Sequence, residues 1–129
     1  MGNSLRVGLS HTLSLIVQTE NTAIAHKSGT LPVLATPAMI SFIENAAMCA
    51  VSNYLLNDET TVGTKVDIRH LKATPLGVEL ECKATLTQIE EKKLVFEVLA
   101  TDKTGQIGVG THVRYIVNKT TFMKSLPAK

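Results

Sequence analysis

A chain of 129 residues that is 44% apolar and 19% charged is long enough to bury one core, and it reads as a single globular domain over 1–129. A formal net charge of +2, with Lys and Arg scattered, argues against a nucleic-acid partner. The short basic clusters, Lys92-Lys93 and Lys119 to Lys124, have no interleaved aromatic residues and fit solvated turns and a solvated tail. The apolar runs are too short and too interrupted to span a bilayer. The polar start after Met1 has no secretory pattern, and Cys49 and Cys82 lack metal-type spacing. Both cysteines are therefore expected as reduced core residues of a cytoplasmic protein with no membrane attachment.

In chain order, residues 5–18 read as a strand with imperfect alternation. Residues 19–34 are polar and irregular, with Ser28-Gly29 and Pro32, a loop of the length usually kept for lids or binding. From Leu34 to Val51 the chain is the element the rest is organised around. Thr36 can cap a helix and Pro37 suits its first position, so a helix is expected over roughly 37–56. Apolar or small residues sit all round it, broken by Ser41, Glu44 and Asn45, so the helix is expected to be buried on every side.

After the helix the sequence alternates with period two. Val66, Ile68 and His70 share one strand face. Thr74 to Gly77 turn the chain into a strand on which Val78, Leu80, Cys82, Ala84 and Leu86 face one way. Glu91-Lys92 and Asp102 to Gly105 are further turns. The last strand, Gln106 to Asn118, is read with Ile107, Val109, Val113, Tyr115 and Val117 in phase, and residues 119–129 as a tail. On that parity His112 is out of phase with the apolar face. Gly108 and Gly110 lie where the backbone must bend or approach something closely. One strand, a long apolar helix and four strands joined by short turns predict an α+β fold, with about five antiparallel strands wrapped around one central helix. That arrangement is the hot-dog fold. Five strands cannot cover every side of one helix, so a partner subunit is expected.

A carboxylate inside an apolar helix is costly unless paired or functional, which singles out Glu44. Thr36 stands at the helix start, where free N–H groups and the helix dipole favour a developing negative charge. His70 points the way Val66 and Ile68 point, toward the helix if that face meets it. Each also has an ordinary use: Thr36 as a cap, Glu44 in a polar seam with Ser41 and Asn45, His70 as a hydrogen-bonded core residue. No three residues show metal spacing, and no glycine-rich phosphate loop is present.

Over roughly residues 5–122 the chain resembles the fluoroacetyl-CoA thioesterase type of hot-dog thioesterase. The resemblance is carried by Arg6-Val7-Gly8, by Val33 to Thr36 leading into the helix, by Glu44, and by Gly63-Thr64. It continues in His70 followed by Ala73-Thr74-Pro75-x-Gly77, and in Gly108-x-Gly110-Thr111-His112-x-Arg114. It implies hydrolysis of an acyl-CoA thioester to a carboxylic acid and CoA by Thr36, Glu44 and His70. Glu44 would be nucleophile or general base, Thr36 would polarise the thioester oxygen, and His70 would orient or protonate. It further implies substrate contacts at Gly63, Thr64, Pro37 and Arg114, no metal or cofactor beyond the CoA of the substrate, and a homodimer with the site at its interface. The alternative is a non-catalytic hot-dog module that binds acyl-CoA. One departure stands out. The fluoroacetyl-specific enzyme gates its pocket with phenylalanines just ahead of the Thr, whereas here Lys27 to Pro32 contain none and the first Phe is Phe42. The acyl group is thus left open.

Overall fold

The computed structural model describes residues 4–128. Its elements are β1 (Ser10–Ile16), a 3₁₀ turn at Thr19–Asn21, α1 (Thr36–Ser52), β2 (Glu59–His70), β3 (Glu79–Glu90), β4 (Lys93–Asp102), β5 (Gly105–Asn118) and α2 (Lys119–Lys124). The strands form one sheet in the order β1-β3-β4-β5-β2, every neighbouring pair antiparallel, with α1 laid across one face. This is the hot-dog arrangement that the element order implied. β1 and β2 are the two edges.

Burial in α1 is a stripe rather than a sleeve. Ala38, Met39, Ile43, Ala46, Ala47, Ala50 and Val51 are buried, at the spacing of one helix face. Pro37, Ser41, Asn45, Met48 and Ser52 are exposed on the opposite side. The expectation of burial all round is therefore corrected for the single chain, because one five-stranded sheet reaches one side of a helix. Cys49 lies toward this open side, half-buried, its thiol donating to Asn45 Oδ1 at 3.2 Å, and so is not a core residue. Cys82 is in the core, and burial pushes its thiol up to about 12. The helix also ends earlier than expected, at Ser52, where the Asn53 N–H turns back to the Val51 carbonyl.

β3 follows its alternation, with Leu80, Cys82, Ala84 and Leu86 buried and Glu79, Glu81 and Lys83 outside. β5 does not follow the parity read from its apolar residues. His112, Arg114 and Ile116 point into the protein, while Tyr115 is exposed and Val109, Val113 and Val117 are only half-buried on the outer face. The reason is a skipped residue: Ala100 pairs with Gly108 but Thr101 pairs with Gln106, so Ile107 is extra and the inward face changes there. Past Asn118, whose side chain accepts from the Thr121 N–H, the expected tail forms the short helix α2.

The two glycines of β5 do different work. A Cβ on Gly108 would lie 2.6 Å from Met39 Sδ, the movable end of a flexible side chain. A Cβ on Gly110 would overlap the Asp67 backbone carbonyl on β2. Gly110→Ala is therefore expected to cost about 3 kcal/mol and Gly108→Ala about 1 kcal/mol, read as urea unfolding midpoints. A milder loss at Gly110 than at Gly108 would contradict this packing.

Candidate active site

The helix start is built around a hydroxyl that is not used as a cap. The N-cap is Ala35, with no side-chain cap, and Thr36 is the first helical residue, which corrects the capping role expected for it. Its Oγ1 instead lies 2.7 Å from Nδ1 of His70, the last residue of β2. Pro37 brings no N–H, and the Met39 N–H is already bonded to the Ala35 carbonyl. The backbone amides of Thr36 and Ala38 are left as the donors at this end of the helix.

A cleft of about 380 Å³ opens beside the pair, lined by Ala23, Ser28 and Val33 to Pro37 on one side and by His70 to Ala73 on the other. Its loop wall is fixed at both ends. Ala23 N–H bonds the Val33 carbonyl, Ala35 N–H bonds Asn21 and Leu34 N–H bonds Thr74, each at 2.8 Å. These ties leave no mark in the sequence, because they are backbone bonds between residues of ordinary type. Burial pulls the His70 pKa down from its ordinary 6.5, with the Lys72 backbone opposing. A depressed value keeps the ring neutral, and able to accept a proton, further into acid. An NMR titration of the His70 ring should accordingly give a midpoint below 6.5; a midpoint at or above it would contradict the burial argument.

Glu44 belongs to a second centre. Its Oε2 lies 4.0 Å from Arg114 Nη1, with the Glu44 side chain 41% exposed and that of Arg114 9% exposed. Gly63 is the floor between them. A Cβ there would stand 2.9 Å from Glu44 Oε2, 3.2 Å from His112 Cε1 and 3.3 Å from Arg114 Nη1. Arg114 is clamped by Thr61, donating from Nε to the hydroxyl at 2.8 Å and from Nη2 to the carbonyl at 2.9 Å. Burial pulls the guanidinium down from its ordinary value and Glu44 opposes this, so the carboxylate is the countercharge.

Within one chain the expected trio is split. Thr36 and His70 are paired, whereas Glu44 is eight residues along the helix from Thr36, a rise of about 12 Å. Pro37 lines the cleft, and Gly63 and Arg114 sit with Glu44. Thr64, at the register break between Gly63 and Lys65, is exposed and turns its hydroxyl back to the Val113 carbonyl at 3.3 Å. Thr61 and His112 were missed. The signal for His112 lay in its two-residue spacing from Arg114, which puts both on one strand face. Among the described residues, no group of three or more His, Cys, Asp or Glu could hold a metal ion, and no helix is long and apolar enough to cross a membrane.

Comparison with known proteins gives one consistent result. The family model for fluoroacetyl-CoA-specific thioesterase matches residues 17–120. A fluoroacetyl-CoA thioesterase from Streptantibioticus cattleyicolor is 31% identical, covering 95% of this chain and 92% of that protein. A solved structure of a fluoroacetyl-CoA thioesterase superposes with a TM-score of 0.88 at 28% identity, covering 97% of this chain and all of the other. A thioesterase superfamily member from Thermus thermophilus has a TM-score of 0.85 at 25% identity, covering 95% of this chain and 90% of its own.

Proposed function

The chain belongs to the fluoroacetyl-CoA-specific thioesterase family and is a thioester hydrolase, and from that premise we propose that it hydrolyses short acyl-CoA thioesters at a site shared between two subunits. The observation that carries this reading is the Thr36–His70 pair, 2.7 Å apart at a helix start and open to a cleft. Nucleophile and base within hydrogen-bond reach are the signature of covalent acyl transfer.

Thr36 Oγ attacks the thioester carbonyl and passes its proton to His70 Nδ1. The backbone amides of Thr36 and Ala38 face the developing oxyanion. The carbon–sulfur bond breaks, and the CoA sulfur leaves with the proton from His70. Water then attacks the acyl-Thr36 ester: Glu44 of the partner subunit takes a proton from the water as its oxygen bonds to the acyl carbon, and that proton returns to Thr36 Oγ as the ester C–O bond breaks and the carboxylic acid leaves. In this scheme Thr36 moves from polarising the carbonyl to attacking it, and Glu44 acts as the base rather than the nucleophile. Side chains, water and the CoA substrate suffice, with no added cofactor or metal.

Two features support the shared site. The open face of α1 carries Pro37, Ser41 and Asn45, and β2 is a sheet edge with unpaired backbone groups. A two-fold axis passing α1 near residues 40 and 41 would set residue 44 of one helix beside residue 36 of the other, closing the gap of about 12 Å. The free thiols Cys49 and Cys82 support a cytoplasmic setting.

The loop wall of the cleft presents Ala23 and Ser28 and no aromatic side chain, so we propose no selection for fluorine. A thiol-release assay over acetyl-, fluoroacetyl-, propionyl- and butyryl-CoA, run beside a binding titration, tests the reading. Turnover of the unfluorinated short chains alongside fluoroacetyl-CoA is expected. Binding of these thioesters with no thiol released would instead make the chain a non-catalytic acyl-CoA-binding module.

A further inference from the structure

His112 is fully buried, yet no step of the proposed chemistry uses it. Its ring is held on three sides. Nδ1 lies 2.7 Å from the Lys65 carbonyl, just past the register break in β2. Nε2 lies 3.3 Å from Arg114 Nη1. Phe96, its cross-strand neighbour on β4, packs beside the ring with centroids 6.3 Å apart.

These contacts fix the tautomer. A carbonyl only accepts, so Nδ1 must carry the proton and donate to Lys65. Arg114 only donates, so Nε2 must offer its lone pair. A second proton on Nε2 would face an N–H of Arg114 head on. Burial and the neighbouring guanidinium both act against that charge, with the Lys65 carbonyl and Glu44 opposing. The ring is a neutral acceptor aimed at one atom.

That atom is the one nearest Glu44. Thr61 takes Nε and Nη2 of Arg114, and Nη1 is left to be oriented by His112 on one side and to face Glu44 Oε2 at 4.0 Å on the other. The guanidinium is a rigid plane, so Thr61 holds it along the Nε–Nη2 edge and His112 adds a hold at Nη1 against a swing about that edge. We propose that His112 is a positioning residue: by accepting from Arg114 Nη1 through Nε2 it aims the guanidinium at Glu44 and so fixes where that carboxylate stands. The inference rests on the catalytic role proposed for Glu44, but the placement of Arg114 can be tested apart from activity.

Two measurements decide it. In ¹⁵N-edited NMR of the wild-type protein at neutral pH, His112 is expected with a protonated Nδ1 and a bare Nε2. His112→Gln, whose amide oxygen reaches the place of Nε2, should keep the Arg114 Nη1–H resonance sharp. His112→Asn, whose amide mimics Nδ1 only, should broaden it. In the thioesterase assay His112→Asn should lose roughly ten- to a hundredfold in kcat with KM nearly unchanged, and His112→Gln should return to within about threefold of wild type. A protonated Nε2, or equal losses for Asn and Gln that track their Tm, would overturn the proposal and leave His112 a packing residue. If no variant, wild type included, releases thiol, the catalytic reading fails, and the NMR pattern still decides what His112 does to Arg114.

Discussion

Glu44→Gln is expected to lower kcat by about 10²- to 10⁴-fold, the usual worth of a positioned general base, while the protein stays folded. The substitution keeps the shape and removes only the ability to take a proton. In the proposed scheme Glu44 acts in the second half of the reaction, so the first half should survive. Mixing the variant with acetyl-CoA should give a burst of about one thiol per site, and intact-mass measurement should find an acyl group on Thr36. Full activity in Glu44→Gln would remove the carboxylate from the mechanism. Loss of activity with neither burst nor adduct would mean that Glu44 acts before the acyl group is transferred. The side chain is 41% exposed and its guanidinium partner stands 4.0 Å away, so the amide is not expected to unfold the chain.

Thr36→Ala is the larger effect. It removes the partner of His70 and, in the proposed scheme, the attacking oxygen, so kcat/KM should fall by about 10³-fold or more, with no burst and no adduct. Thr36→Ser keeps the hydroxyl and should retain most of the rate. Since Thr36 does not cap the helix, the Tm of the Ala variant should stay close to wild type. A Thr36→Ala enzyme that still shows a burst would hand the covalent role to another side chain, Glu44 first among them. A clear drop in Tm would mean that the hydroxyl is structural after all.

The helix was legible because Thr36-Pro37 marks its start and because Ala38 to Val51 is too apolar to be anything but packed. β3 was legible because charges and aliphatics alternate cleanly from Glu79 to Leu86. β5 was read with the wrong face inward, and the physics of the miss is specific. Its outer face carries valines, while its inner face carries Gly108, Gly110, His112 and Arg114, so hydrophobicity favours the side that packs least. One extra residue at Ile107 joined an inward isoleucine to an outward series. Such a skip leaves no mark on a periodic pattern.

The candidate site was legible in its parts but not in its grouping. Thr36 and His70 meet as the strand parity of Val66, Ile68 and His70 suggested. Glu44 shares a broad helical sector with Thr36, but the helical rise of about 12 Å over eight residues separates them, and angle without rise misleads. The Arg114 network needs the register between β2 and β5, which sets Gly63 opposite Arg114 and the Lys65 carbonyl beside His112. Register between strands far apart in the chain is a tertiary fact.

In the proposed mechanism Thr36 and His70 of one subunit work with Glu44 of the other. Chains carrying Thr36→Ala and chains carrying Glu44→Gln, tagged differently, can be unfolded, mixed, refolded and purified as doubly tagged heterodimers. Each parent homodimer should be nearly inactive. In the heterodimer one of the two sites combines an intact Thr36 with an intact Glu44, so about half of the wild-type kcat should return. A heterodimer as inactive as its parents would contradict the shared site and place all three residues' work within a single chain.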